Sequence, residues 1–226
     1  MAAIADRLAT GRSWVRGTSD CAACGHSIAW GHLVPIASYL TLKGQCRNCG
    51  ARIPLRLWGS EFAGLTCAAA ALTLADYPSS QIAATLFLLI LLGLFLCDLQ
   101  TMRLPDPLTG ALAVAGIWVG SLWQGLATSV LTALAGVGAF WVLAAIYRMI
   151  RGRDGLGQGD VKMMAGLAAM AGPAGLPWVT LIAGLSALIV AQFRPRPQGY
   201  ATAVPLGSHL AVAGAAVWCM KSLGLL

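Results

Sequence analysis

The sequence predicts an all-α polytopic membrane protein with about seven transmembrane helices and a small cytoplasmic module built on four cysteines. Hydrophobic residues make up 58% of its 226 residues and charged residues only 10%, whereas soluble domains average about 25% charged residues. So few charges cannot cover a water-facing surface, and the composition therefore excludes an ordinary soluble domain. The 27 glycines fit a membrane protein, because small residues let membrane helices approach closely.

Stretches without charge define the spans. Four long intervals contain no charged residue, and they are 77–97, 107–147, 163–193 and 197–220. About 20 apolar residues cross a bilayer core, so the longest interval holds two helices. Glycine and proline predict breaks at 123–125 and 172–175. The seven predicted spans are 61–76, 81–98, 107–123, 127–147, 161–172, 175–193 and 202–221. The fifth is short for a full crossing and is expected to tilt, kink or re-enter the membrane.

Positive charge predicts the orientation of these spans. Thirteen of the 15 lysines and arginines fall on one alternating set of loops, and the positive-inside rule makes that set cytoplasmic, with the N-terminus inside and the C-terminus outside. The net charge of +7 then follows from topology and from anionic membrane lipid, so nucleic acid is not a predicted partner. Residues 1–17 lack the continuous apolar stretch of a signal peptide, and none is expected. The thirteen are Arg7, Arg12, Arg16, Lys43, Arg47, Arg52, Arg56, Arg103, Arg148, Arg151, Arg153, Arg194 and Arg196.

Two C-x-x-C pairs, Cys21 with Cys24 and Cys46 with Cys49, precede the first span. This spacing is typical of a tetrahedral four-thiolate zinc site in which two knuckles share one ion. The alternative is a pair of disulfides or redox dithiols, which a cytoplasmic position disfavours. Four-thiolate sites are usually closed, so we expect a structural Zn²⁺ that folds a small cytoplasmic cap.

Two aspartates lie where predicted spans meet the cytoplasmic face. Asp98 ends the second span, and Asp160 opens the fifth within the sequence Gly157-Gln158-Gly159-Asp160. Two carboxylates that share a site repel each other, so one stays protonated as an acid and the other stays ionised as a base. Aspartyl proteolysis requires one group of each kind. The glycines let backbone and an extended substrate approach, and Lys162 is expected to bias the ionisation of the pair. The alternative is that both aspartates only cap helices.

His209 is the one histidine inside a predicted span. A polar ring at that position is expected to bond to a neighbouring helix rather than to take part in chemistry.

These residues, in this order, resemble the type IV prepilin peptidases, membrane aspartyl proteases of the GxGD class. The resemblance runs from about Cys21 to Gly207. It rests on CAAC and CRNC, PIASYL at 35–40, Lys43-Gly44, Arg56 with Glu61, DLQTMRLPD at 98–106, GQGD with Lys162, and VPLG at 204–207. Members of the family usually begin with a further span before the first cysteine and commonly have eight spans, where seven are counted here.

The resemblance implies two reactions at the cytoplasmic face of the bacterial inner membrane. The family cuts type IV prepilins or type II secretion pseudopilins after a glycine, and many members then methylate the new N-terminus with S-adenosylmethionine. Asp98 and Asp160 match the catalytic aspartates, and Gly44 matches a glycine tied to methylation. Residues 1–56 would form the N-terminal cytoplasmic segment with the zinc module, and residues 57–226 the transmembrane aspartyl protease domain.

Two other classes of function compete with this one. A non-catalytic, zinc-capped assembly protein of a pilus or secretion machine would use the same cap and spans, and the missing leading span favours it. An ion-coupled transporter is disfavoured, because the carboxylates lie at one face and none lies in mid-span.

Overall fold

The computed structural model of the chain describes residues 20–21, 23–28, 39, 41–193 and 205–226. Within these residues the chain forms six helices. They are α1 Leu55–Leu74, α2 Pro78–Thr101, α3 Asp106–Gln124, α4 Leu126–Arg151, α5 Gln158–Phe193 and α6 Leu206–Ser222. The structure does not describe residues 1–19 or residues 194–204, which include Arg194, Arg196 and Val204 in the last predicted span. Of the PIASYL motif it describes only Tyr39.

The all-helical class predicted from composition is confirmed in the described part of the chain. Four of its helices, α1, α2, α4 and α5, are long and apolar enough to cross a membrane. The count of seven spans stays a prediction.

Gly172 divides α5 into two helical segments. Its backbone has φ 68° and ψ −177°, a conformation open to glycine and strained for other residues. Gly175 lies against Val217 and Lys221 near the C-terminal end of α6, whereas Ser186 contacts His209 near the beginning of α6, with Oγ and Nδ1 3.0 Å apart. Residues 173–193 therefore run antiparallel to α6. Residues 158–171 run parallel to α6, from Asp160 beside Gly207 to Ala171 beside Lys221, so the two segments of α5 have opposite directions. The break predicted at 172–175 is present.

Two side chains satisfy the carbonyls that this break leaves open. Pro173 has no N–H to donate to the Ala169 carbonyl four residues earlier, and Gln124 Nε2 donates to that oxygen instead, at 2.8 Å. Lys221 Nζ donates to the Ala171 oxygen at 3.0 Å. Residues far apart in the sequence therefore hold the fold-back in place.

The helix α5 lies at the centre of the bundle and packs on α3, α4 and α6. Small residues make this contact close: a methyl group on Gly116 of α3 would overlap the backbone of Gly166, and one on Gly136 of α4 would lie 2.5 Å from the Ala168 methyl. Such close contact is how membrane helices gain packing energy without a hydrophobic driving force.

The bundle has two ends. At the aspartate end lie the last residues of α2 and α4 and the first of α3, α5 and α6, joined by contacts of Asp98 with Ser208 and of Lys162 with Asp106. At the kink end lie Gln124, Gly172 and Lys221. The short connection from α1 to α2 puts the start of α1, and the cysteine module before it, on the side of the aspartate end.

Candidate active site and metal centre

Asp98 and Asp160 are both buried, with 4% and 9% of their surfaces exposed. Asp98 lies one turn before the end of α2, and Asp160 lies in the first turn of α5. A buried carboxylate is costly unless it has a partner, so two of them in one region of an apolar bundle call for an explanation by function.

Gly207, in the first turn of α6, shows how close the two carboxyl groups are. A Cβ atom built on Gly207 would lie 3.1 Å from Asp160 Oδ1 and 3.1 Å from Asp98 Cγ. The two side chains therefore converge on the same glycine and lie within twice that distance of each other. Any larger residue at position 207 would push into the space between them.

Asp98 is also bonded to α6. The backbone N–H of Ser208 donates to Asp98 Oδ2 at 2.6 Å, while the Ser208 hydroxyl donates to the Pro205 carbonyl at 2.7 Å. Sequence reasoning did not single out Gly207 or Ser208 as site residues. The VPLG motif at the start of the last span was the only feature of the sequence that pointed to them. The donor to Asp98 is a backbone N–H, which does not depend on the type of side chain.

The glycines of the GQGD motif make room for the aspartate and for the connection between α2 and α3. A Cβ on Gly157 would lie 2.9 Å from Asp160 Oδ2, and one on Gly159 would lie 2.9 Å from Leu104 Cβ. Neither glycine has a positive φ, so what they supply is space for close approach.

Lys162 points away from the pair. Its Nζ donates to Asp106 Oδ1 at 2.7 Å, and both side chains are half exposed or more, at 50% and 73%. Lys162 thus joins α3 to α5 at the surface. Its described contact is with Asp106, so no direct contact supports its expected influence on Asp98 and Asp160.

This arrangement supports acid–base chemistry on a water molecule. One carboxylate can take a proton from the water while the protonated partner donates to a carbonyl oxygen, since two adjacent carboxylates share one proton at neutral pH. Two other acids near this end, Asp106 and Asp154, are exposed and ion-paired with Lys162 and Arg148.

The four cysteines of the module form a compact thiol cluster. All four Sγ atoms lie within 4.8 Å of one another, and Cys21 Sγ is 3.9 Å from Cys49 Sγ. A tetrahedral zinc–thiolate centre with bonds of about 2.3 Å has sulfur–sulfur edges of about 3.8 Å. The cluster therefore fits a zinc ion with little rearrangement.

The two C-x-x-C loops have the same backbone geometry. In each loop the glycine after the second cysteine is left-handed, with φ 68° at Gly25 and 69° at Gly50. The glycine N–H donates to the carbonyl of the first cysteine, Cys21 or Cys46, at 2.8 and 2.9 Å. Backbone N–H groups of Cys49 and Asn48 lower the pKa of the Cys46 thiol to about 7. The Ala51 backbone lowers the pKa of the Cys49 thiol, but hydrogen bonds with the neighbouring thiols and burial outweigh that effect and raise this pKa to about 11.

Gly44 supports the module and is closed off from solvent. It is buried with φ 69°, and a Cβ there would lie 2.8 Å from the Tyr39 ring. Tyr39 in turn contacts Trp58 of α1 at a centroid distance of 6.0 Å. This position explains why glycine is needed at residue 44, and it offers no open surface to S-adenosylmethionine at Gly44 itself.

Comparison with known families gives two matches that together cover most of the chain. Residues 1–75 match the bacterial peptidase A24 N-terminal domain, and residues 85–192 match the type IV leader peptidase family. No solved structure matches.

Three curated relatives carry the same name. A protein of Burkholderia pseudomallei is 38% identical over 208 residues, which is 88% of this chain and 65% of the relative. Proteins of Pseudomonas putida and Aeromonas hydrophila are 32% and 34% identical, and the match covers 88% and 87% of this chain and 72% and 69% of theirs. All three are named prepilin leader peptidase/N-methyltransferase. The match thus spans slightly less than two thirds of the Burkholderia relative.

Proposed function

The chain belongs to the type IV leader peptidase family, and we propose that it is a membrane aspartyl endopeptidase that removes leader peptides from type IV prepilins or type II secretion pseudopilins. The observation that carries this proposal is the convergence of two buried carboxylates, from Asp98 and Asp160, on the Cβ position of Gly207.

The reaction needs only the pair and water. One ionised carboxylate accepts a proton from water, whose oxygen adds to the scissile carbonyl carbon, while the protonated partner gives its proton to the carbonyl oxygen. The resulting diol collapses as the first carboxyl group protonates the leaving amine and the C–N bond breaks. A diol proton returns to the partner, so the pair is regenerated without an acyl-enzyme.

The proposed setting is the bacterial inner membrane, with seven crossings, a cytoplasmic N-terminus and the aspartate end in the cytoplasm. In support, described basic residues cluster at the aspartate end, where Arg103, Arg148, Arg151 and Arg153 lie in the connections or next to them, as the positive-inside rule requires. Reporter fusions test it: fusions after Arg153 should report cytoplasm and fusions at Ser79 periplasm. A periplasmic report at Arg153 would contradict this orientation.

Zinc would hold the module together in a structural role, bound by Cys21, Cys24, Cys46 and Cys49. The cluster of four thiols completes a tetrahedral shell, and a closed shell leaves no position for a reacting water.

Methylation of the new N-terminus is proposed as a second activity, with S-adenosylmethionine as donor. Support comes from the names of the relatives. Gly44 is covered by Tyr39, so we assign Gly44 the role of keeping the module in shape and derive no step of methyl transfer from it.

The decisive experiment is cleavage of a type IV prepilin by the purified protein and by Asp98→Asn and Asp160→Asn variants. Each variant should lose about 100- to 10,000-fold in rate, the range supplied by general acid–base groups, while still accumulating in the membrane. Asp154→Ala is the matched control, because Asp154 is 74% exposed and paired only at the surface, and it should retain activity. Wild-type protein that inserts but does not cleave would instead favour the assembly-protein alternative.

A further inference from the structure

The two aspartates have different surroundings, and the difference lies at the beginning of α6. The first N–H groups of a helix have no partner within the helix, and the aligned peptide dipoles add partial positive charge at that end. The helix α6 has 17 residues, so this field is well developed. Ser208 is in its first turn and aims its N–H at Asp98 Oδ2, 2.6 Å away.

That bond is of the type a charged oxygen makes. Neutral N–H···O bonds cluster near 2.9–3.0 Å, whereas bonds to ionised partners are shorter and about twice as strong. Asp98 is 4% exposed, so little water is available to stabilise its charge and the Ser208 N–H must do so.

The surroundings of Asp160 stabilise a negative charge less well than those of Asp98. It also lies in the first turn of a helix, α5, and the backbone N–H of Gly157, just before that helix, donates a hydrogen bond to its carboxyl group. No described hydrogen bond from another helix reaches its carboxylate comparable to the 2.6 Å bond that Asp98 accepts from Ser208. Its nearest charged neighbour is Asp98 itself, which repels a second negative charge.

We infer that the beginning of α6 keeps the negative charge of the pair on Asp98 and leaves the shared proton on Asp160. In the reaction proposed above, on which this assignment rests, Asp98 is then the group that takes the proton from water. Asp160 is the acid that protonates the scissile carbonyl. Ser208, through its backbone, and Gly207, through its lack of a side chain, are positioning residues for that division of roles.

The groups that face Asp98 are few, so a pH profile can be interpreted. In the described residues, Asp160 faces it from α5 and His209 from α6, and Cys97 is its neighbour on α2. His209 Nδ1 is 3.0 Å from Ser186 Oγ, so its bond to a neighbouring helix is the one predicted from the sequence. Asp98 must be ionised for activity, so the acid limb of the profile reports on its charge.

Ser208→Pro tests the assignment, because proline has no N–H and Ser208 lies in the first turn, where the helix itself does not use that N–H. Without the donor, ionised Asp98 is less stable. The acid limb of kcat/KM against pH should therefore move to higher pH by on the order of one unit or more. Ser208→Ala keeps the N–H and should move that limb less. A loss of activity with the acid limb unmoved in Ser208→Pro would overturn the inference.

A second measurement does not depend on activity or on the proline variant. Because Glu61 also has a buried oxygen without a partner, the spectra are recorded in a Glu61→Gln background. At neutral pH, infrared spectra of this reconstituted protein should contain the carbonyl stretch of one buried protonated carboxylic acid. That band should vanish in Asp160→Asn, where Asp98 remains alone and ionised. Persistence of the band in Asp160→Asn would contradict the assignment. Absence of cleavage by the wild type with the band behaving as expected would instead count against the proposed reaction.

Discussion

Buried polar groups are arranged differently at the two ends of the 158–171 segment. At the kink end, the carbonyls of Ala169 and Ala171 receive hydrogen bonds from Gln124 and Lys221, and Lys221 Nζ also lies 5.1 Å from the centre of the Trp123 ring. At the aspartate end, two buried carboxyl groups lie against one glycine.

The contrast shows how structure and function can be told apart inside one helix. Native proteins pair nearly all their buried polar groups, and at the kink end the carbonyls that glycine and proline free from the helix are paired. The aspartate end brings two buried acidic side chains together, and such locally unfavourable arrangements concentrate at functional sites. Substitutions at the kink end should therefore change stability, and substitutions at the aspartate end should change activity.

The largest effect is expected from Gly207→Ala. A methyl group there would lie 3.1 Å from groups on both aspartates and 3.0 Å from Leu104 Cδ1, so these side chains must shift by a few tenths of an ångström. A misplacement of about 1 Å lowers rates by about 100-fold. This smaller shift should lower the rate of cleavage by about 10-fold, with thermal stability little changed. Gly110→Ala is the control, since a methyl on Gly110 meets no atom within 4 Å. Near-normal cleavage by Gly207→Ala would remove the distinction between the two ends.

The reverse result is expected at the kink end. Gln124→Leu leaves the Ala169 carbonyl without its donor, and an unsatisfied buried group costs about 1–3 kcal/mol. The midpoint of thermal unfolding in detergent should fall, while the rate of prepilin cleavage per folded molecule should stay within a few-fold of wild type. Ser121→Ala, whose hydroxyl bonds only within its own helix, should change neither quantity. A Gln124→Leu protein as stable as wild type but inactive would contradict the separation of roles.

A third prediction concerns the cysteine module, which should be separable from both ends. Cys46→Ser removes one of four thiols within 4.8 Å of one another, so bound zinc should fall well below the one ion per chain expected for the wild type, as measured by elemental analysis. Limited proteolysis should then cut residues 20–50 faster, because metal binding and folding are coupled in small modules. Cys219→Ser, in α6 and outside the cluster, should keep its zinc. A wild-type protein without stoichiometric zinc would count against the metal centre.

The smallest effect is expected from Lys162→Met. Its ion pair with Asp106 is exposed, and exposed pairs contribute about 0–1 kcal/mol. Cleavage should change by no more than a few-fold, and neither limb of the pH profile should move. A displaced limb would restore the role that the sequence suggested for Lys162, that of biasing the ionisation of the aspartates.

Much of the site could be predicted because its parts carry side-chain chemistry. The spacing of Cys21, Cys24, Cys46 and Cys49 indicated one cluster, and the structure has it. The bond of His209 to a neighbouring helix is also confirmed. The predicted breaks at 123–125 and 172–175 are present because Gly125 and Gly172 take left-handed conformations there. The catalytic roles of Asp98 and Asp160 and the division of the chain at residue 56 stay predictions.

The sequence by itself determined the class of this protein, because composition and the positions of charges limit which segments can lie in lipid, and it determined the cysteine cluster, because ligand spacing is local. Only the tertiary structure decided that Lys162 binds Asp106, that Gln124 and Lys221 hold the fold-back of α5, and that Ser208 bonds Asp98. Each of these contacts joins residues from different helices. Three of the four bonds involve a backbone N–H or C=O. Every residue except proline has both groups, so no pattern of side chains shows which backbone group will form such a bond.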